Sequence, residues 1–179
     1  MTHRSFLLEL TPERFRPRPL PTADLNIARA AAGDESRARF LWTEVGRDYW
    51  AERIRWSGAR WRRHLSDAAV SFWIASCSEQ DIGFFELRMK GTSIKLEGFG
   101  LLSAWRGKGL GGALLSAATQ HAFATGARRI WLHTATDDHP NALPNYEARG
   151  YRVYRQTELR NPMPPQAVAR GRLPGRNGA

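Results

Sequence analysis

The sequence predicts one α/β domain built on a mixed, mostly antiparallel sheet with helices on its flanks. Three observations lead there. Strand-like and helical segments alternate in the second half, at residues 94–102, 111–125, 129–136, 140–149 and 151–159. Two strand-like runs separated by a short polar turn, 69–77 and 82–89, stand just ahead of them. At 179 residues, 42 % hydrophobic and 25 % charged, the chain has the size and composition of a single globular domain that buries its own core. The alternation implies a parallel strand pair at the middle or end of the sheet, and the hairpin implies antiparallel pairing elsewhere.

Each element has its own local reason. Residues 1–22 read as an arm, because Pro12, Pro17, Pro19 and Pro21 forbid long regular structure. The domain proper is expected over 23–160. Leu25 to Ala30 alternates as a first strand, and Asp34 offers an N-cap to a helix carrying Phe40, Leu41, Trp42 and Val45. Tyr49, Trp50, Ile54 and Trp56 extend an aromatic helical stretch to Gly58, and Trp61 with Leu65 suggests one more short helix. The runs 69–77 and 82–89 join through Ser78-Glu79-Gln80-Asp81 as a hairpin, and Lys90-Gly91-Thr92 turns the chain into strand 94–102. Helix 111–125 is stopped by Gly126 at C′. Strand 129–136 follows, then helix 140–149 opened by Pro140, then strand 151–159. Residues 161–179, with Pro162, Pro164, Pro165 and a Gly/Arg-rich run, are expected to be a disordered basic tail.

Composition excludes several classes. A lone Cys77 cannot form an intrachain disulfide, suits a reducing compartment, and reads as a packed thiol. No apolar run approaches the ~20 residues that span a bilayer. Phe6-Leu7-Leu8 is interrupted by Glu9 and followed by Pro12, so no signal-peptide core is present and the cytoplasm is the default. Of the formal charge of +10, much comes from terminal arginines: Arg4, Arg14, Arg16, Arg18, Arg160, Arg170, Arg172 and Arg176. They serve solubility, or they steer a polyanionic ligand. No zinc-finger, helix-turn-helix or RNP signature supports a specific nucleic-acid partner.

The most informative stretch is Trp105-Arg106-Gly107-Lys108-Gly109-Leu110-Gly111-Gly112, lying between a strand-like and a helical segment. Such a turn points several backbone N–H groups at one anion, and the helix N-terminus adds its positive end. A P-loop is not matched. Gly107, Gly109 and Gly112 meet the spacing of a dinucleotide fingerprint. That motif belongs in the first unit of a doubly wound domain, and here about a hundred residues precede it. Arg106 to Gly111 fits R/Q-x-x-G-x-G/A instead. With its flanking strand and helix it resembles the acetyl-CoA-binding motif of the GCN5-related N-acetyltransferase (GNAT) superfamily. Ala142-x-x-x-Tyr146-Glu147-Ala148-Arg149-Gly150-Tyr151 is similar to that family's A-x-x-x-Y-E-x-x-G-F segment, and residues 131–140 resemble an uncharacterised bacterial subgroup. The likeness covers roughly residues 25–160.

This resemblance implies the GNAT fold, a sheet splayed between its fourth and fifth strands, and transfer of an acetyl group from acetyl-CoA to a primary amine. It implies a pyrophosphate held by Arg106, Gly107, Lys108, Gly109, Leu110, Gly111 and Gly112. The pantetheine arm would lie along Phe99, Gly100 and Leu101, where Leu101 takes the place of the family's usual Val. Where the family often has Asn, this chain has His139, with Asn141 nearby but out of register. Both are candidate cofactor contacts. Tyr146 matches the family Tyr that holds the sulfur or protonates the departing thiolate, so it is a candidate for both cofactor binding and catalysis.

Acetyl transfer also needs a base for the amine. Glu97 is the first candidate, since alternation places it on the face of Phe99 and Leu101 unless a bulge resets the strand. It could equally pair with a nearby Arg. Glu86, among Phe84, Phe85 and Leu87, is the rival. Gly98 and Gly100 permit either close ligand approach or tight helix packing. Trp42 and Trp50 are candidate acceptor contacts, with core packing the alternative, and His133 is a third. His133, Asp138 and His139 could suggest a metal, but alternation sets His133 and Asp138 apart, so no metal is expected. The acceptor is a small-molecule or peptide amine of unread identity, and a monomer or homodimer fits equally. A non-catalytic acyl-CoA-binding regulatory protein of the same fold is the alternative.

Overall fold

The centre of the molecule is a meander whose strands are apolar on both faces, because helices cover both. The computed structural model describes residues 3–20 and 25–159. Seven strands form one sheet: β1 (His3–Leu10), β2 (Leu25–Arg29), β3 (Val70–Cys77), β4 (Gln80–Lys90), β5 (Ser93–Leu101), β6 (Arg129–Ala135) and β7 (Arg152–Leu159). Their spatial order is β2-β3-β4-β5-β6-β1-β7. Among the described residues only β5 and β6 run parallel; the other neighbours are antiparallel.

Among the described residues four α-helices flank the sheet: α1 (Glu35–Gly46), α2 (Gly58–Leu65), α3 (Leu110–Ala124) and α4 (Ala142–Ala148). The helix α3 carries buried side chains almost all round, and packs with Leu8, Leu10, Phe85, Leu87, Ile94, Leu96, Ile130 and Leu132. On the opposite face α1 and α2 enclose a second core of Leu41, Trp42, Trp61, Phe72, Ile74 and Phe84. Among the described residues no helix is long and apolar enough to cross a membrane.

Three expectations need correction. The N-terminal arm begins as a strand: His3–Leu10 inserts between β6 and β7, with Leu8 and Leu10 fully buried. The prolines start only at Pro12, so nothing disrupts the alternation of Phe6, Leu8 and Leu10 before it. Counted with β1, the splay falls between the fifth and sixth strands, which were fourth and fifth without it. Next, the aromatic stretch after α1 is not helical; residues 47–57 form turns. Trp50 folds back onto Gly46, where any Cβ would collide with its indole, and its backbone N–H bonds Gly46 O at 2.8 Å. Finally, Pro140 precedes the N-cap Asn141 of α4 and does not open the helix itself. The tail at 161–179 lies outside the described residues.

The rest of the arm packs as well. Residues 11–20 form a strap over the ends of α3 and α4. Phe15 meets Phe123 edge-on, Arg16 N donates to Arg149 O at 3.0 Å, and Arg18 N donates to Ser116 Oγ at 2.8 Å. The carbonyl of Arg14 rests against Gly150, whose φ of +97° and missing Cβ both suit that contact.

Candidate functional site

The strands β5 and β6 pair only at Ser93–Arg129, Ile94–Ile130 and Lys95–Trp131. Beyond Lys95 they diverge. A bulge helps to drive this, because β4 and β5 shift register between Glu86/Gly98 and Leu87/Leu96, leaving Glu97 as an extra residue. The divergence opens a cleft of about 420 Å³. Phe99, Gly100 and Leu101 form one wall, Asp138, His139, Asn141 and Tyr146 the other, and Arg106 with the glycine turn closes one end. Val45, Tyr49 and Trp50 border it from the α1 side.

The glycine turn has the backbone geometry that suits an anion. Gly107 and Gly109 both sit at φ of +76°, and Gly109 is the N-cap of α3. This left-handed conformation favours glycine, and the first N–H groups of the helix lack intrahelical acceptors. A Cβ on Gly112 would run into Arg149 Nη1 and approach Arg18 Cδ at 3.0 Å; one on Gly109 would approach Arg18 Nη2 at 3.2 Å. Two guanidinium groups therefore converge on the turn. Neither makes an ion pair among the described residues, and Arg149 Nε is buried without a hydrogen-bond partner. Burial, with Arg18 close by, pushes the Arg149 guanidinium below its ordinary range.

Arg106 has a different job. Its guanidinium donates from Nε to Leu101 O at 3.0 Å and from Nη2 to Val45 O at 3.2 Å, tying the end of β5 to the end of α1. It lines the cleft while bracing its mouth. Lys108 turns aside, with Nζ 4.5 Å from the centre of the Trp105 ring, and Leu110 is buried in the core; neither side chain lines the cleft. Both were expected there because they share the motif, but a turn of this kind offers backbone, and its side chains follow packing.

Tyr146 projects from α4 into the cleft, its ring against Phe99 and Tyr151. Burial, reinforced by the negative charge of Asp138, holds its phenol well above the usual range, so it stays protonated at neutral pH. Asp138 Oδ2 accepts from Thr134 Oγ1 at 2.6 Å and from Ala135 N at 3.0 Å. His139 Nδ1 accepts from Asn141 N at 3.1 Å, which orients the ring against Tyr49.

Neither expected base reaches this cleft. Glu97 pairs with Lys95 Nζ at 2.6 Å and Arg88 Nε at 3.5 Å, because the bulge removes it from the face of Phe99. Glu86 is wholly buried beneath α1 and α2. Arg53 grips it through Nη1 at 2.6 Å and Nη2 at 3.0 Å, and His64 Nε2 lies 2.9 Å from the same carboxylate. Burial alone would raise the Glu86 pKa, but the bonds from His64 and Arg53 outweigh it and hold the carboxyl below its ordinary range. Arg53 in turn stacks 3.8 Å from the Trp42 ring centre.

Of the expected acceptor contacts, Trp50 borders the cleft. Trp42 is a core residue lying over Gly98, where a Cβ would come within 2.6 Å of its ring, and Gly100 similarly admits Val45. Close packing of α1 explains both glycines. His133 bonds Ser5 Oγ at 2.6 Å on an exposed part of the sheet. Arg18 and Arg149 were missed, with only the Arg-rich composition of the arm hinting at the first, and Asp138 was singled out only as part of a polar cluster with His133 and His139.

The profile of the acetyltransferase (GNAT) family matches residues 33–151. Among solved structures, a GCN5-related N-acetyltransferase from Kribbella flavida is 21 % identical, with 87 % of this chain and 56 % of that chain covered and a TM-score of 0.64. Another from Sphaerobacter thermophilus is 18 % identical, covering 88 % and 50 %, with a TM-score of 0.67. An aminoglycoside acetyltransferase from an uncultured soil metagenomic sample is 15 % identical, covering 70 % and 87 %, with a TM-score of 0.61. At such identities the likeness is one of fold. The chain spans about half the length of the first two. No curated protein matches.

Proposed function

The chain belongs to the acetyltransferase (GNAT) family, and from that premise we propose that it transfers an acetyl group from acetyl-CoA to a primary amine. The observation that carries the reading is one continuous cleft running from the glycine turn to Tyr146. The donor fits this cleft: its diphosphate would meet the N-terminus of α3, and its pantetheine arm would lie beside Phe99 to Leu101. When bound, acetyl-CoA supplies a thioester carbonyl open to direct attack by the amine. As the new C–N bond forms and the C–S bond breaks, Tyr146 gives its proton to the leaving sulfur. Asp138 and His139 face the cleft, unlike Glu97 and Glu86, so the proton lost by the amine passes to one of them, directly or through water. The acceptor end, bordered by Tyr49 and Trp50, suits an amine with an apolar body.

The whole described sheet, β1 included, serves as the transferase domain in this reading, working in the cytoplasm as a monomer or homodimer without a metal. The displaced carboxylates favour one second reading, a protein that binds acyl-CoA without turnover. One experiment separates them. Acetyl-CoA should raise the melting temperature, by mass action contributing about 2.7 kcal/mol at a hundredfold excess over Kd. An amine panel should then release free thiol. Tyr146→Phe should lower that turnover by about 10²–10⁴-fold while donor affinity is kept. Binding without thiol release from any amine would select the second reading, and no binding would remove both.

A further inference from the structure

We propose that Arg18 and Arg149 clamp the diphosphate of the acyl donor, making the N-terminal strap a working part of the binding site. The inference rests on the acyl-donor reading above, and it adds a residue that lies outside the family profile, which begins at residue 33.

The geometry argues against chance. Arg18 reaches the turn only because the strap is fixed at three points: Phe15 on Phe123, Arg16 N on Arg149 O, and Arg18 N on Ser116 Oγ. The last bond holds the Arg18 backbone beside the first turns of α3. Its side chain then runs past Gly112 to Gly109, the N-cap of that helix. Arg149 arrives from α4 on the same glycine. Two like charges brought together next to a helix N-terminus repel one another and the helix dipole. Two other pairs of cations among the described residues share a carboxylate: Glu9 joins Arg129 and Arg152, and Glu97 joins Arg88 to Lys95. Here no carboxylate intervenes among the described residues, and a buried Nε of Arg149 has nothing to bond. An anion with several acceptor oxygens satisfies the free N–H groups, both guanidinium forks and the helix N-terminus together. A diphosphate has the required charge and span.

Calorimetric titration of the full chain with CoA, dephospho-CoA and pantetheine tests this. Arg18→Ala should weaken CoA and dephospho-CoA alike, by about tenfold or more, and reduce the salt dependence of both. Pantetheine, which lacks the diphosphate, should bind the variant as it binds the wild type. Arg18→Lys should recover part of the loss. Without ligand, Arg18→Ala should melt no lower than wild type, since it relieves a repulsion; a clear drop would identify a structural strut and overturn the clamp. Unchanged CoA affinity would also overturn it while leaving the acyl-donor reading intact. Loss for CoA with dephospho-CoA spared would refute the diphosphate assignment. Failure of the wild type to bind CoA at all would instead defeat the reading on which the clamp rests.

Discussion

Two arginines, the buried Arg53 and the half-buried Arg149, sit in opposite circumstances on the two sides of the sheet. Arg53, under the tryptophans of the α1–α2 block, is held by both oxygens of Glu86, with His64 alongside and Trp42 stacked on it. Arg149, against Gly112 of the glycine turn, shares its space with another cation and has a buried nitrogen without a partner among the described residues. A satisfied charge cluster holds a fold in one arrangement; an unsatisfied one leaves donors open to a ligand, which is the role proposed for Arg18 and Arg149. The difference separates the acidic residue that looked catalytic in sequence from the basic ones that did not.

The largest test strikes the satisfied side. Glu86→Gln should cost about 3–5 kcal/mol, because it leaves Arg53 buried without its counter-charge. Urea melts of both proteins at pH 7 measure this. The Glu86 carboxyl lies below its ordinary range in the folded state. Its contribution is therefore complete above the unfolded value of about 4.3 and disappears as pH falls through the lower folded value. The gap between wild type and variant should narrow along that path. A variant as stable as wild type would show that the triad does not hold the α1–α2 block to the sheet.

How much of this contrast could be read beforehand follows from the range of the interactions. The hairpin of β3 and β4, the glycine turn and the start and stop of α3 are local, set by Ser78-Glu79, Gly107, Gly109 and Gly126, and all were legible. The insertion of β1 was not, because its partners Thr134 and Gln156 lie far along the chain and only three alternating apolar residues mark it. The turns after α1 were hidden by aromatic spacing that mimics a helix until Trp50 packs on Gly46. The position of Glu97 depended on one bulge, which shifts a side chain between faces and has no mark in sequence beyond the neighbouring Gly98. Within the cleft, Tyr146 and the glycines could be named from the motif. Arg18 could not, since its place depends on the strap crossing α3.

A smaller effect should show the cleft trading stability for binding. Gly112→Ala replaces a glycine within the first turns of α3, which helix propensity alone favours by about 1 kcal/mol. The atoms its new methyl meets are mainly the ends of Arg149, Arg18 and Asn145, which can move aside. The ligand-free variant should therefore keep or slightly raise its melting temperature, while affinity for CoA falls several-fold as the guanidinium groups are displaced. If stability falls and affinity holds, the convergence of the two arginines is packing, and the contrast with the Glu86 cluster fails.

The smallest effect should come from Glu97, and its smallness is informative. Glu97 keeps 17 % of its side-chain surface exposed and its partners Lys95 and Arg88 keep 25 % and 22 %, so solvent reaches both half-buried ion pairs and screens them in part. Such pairs contribute about 0–1 kcal/mol, and Glu97→Gln should change stability within that range. If the cleft is the reaction site, the same variant should leave both the turnover rate and its pH profile unchanged, because the bulge sets the carboxylate outside it. A general base replaced by an amide would behave otherwise: turnover would fall at neutral pH and recover as rising pH deprotonates the amine unaided. Rates measured from pH 6 to 10 on the first amine found to release thiol decide the matter. A pH-rescued defect would mean that β5 moves on donor binding far enough to bring Glu97 into the cleft, and the base would have to be reassigned from Asp138 and His139.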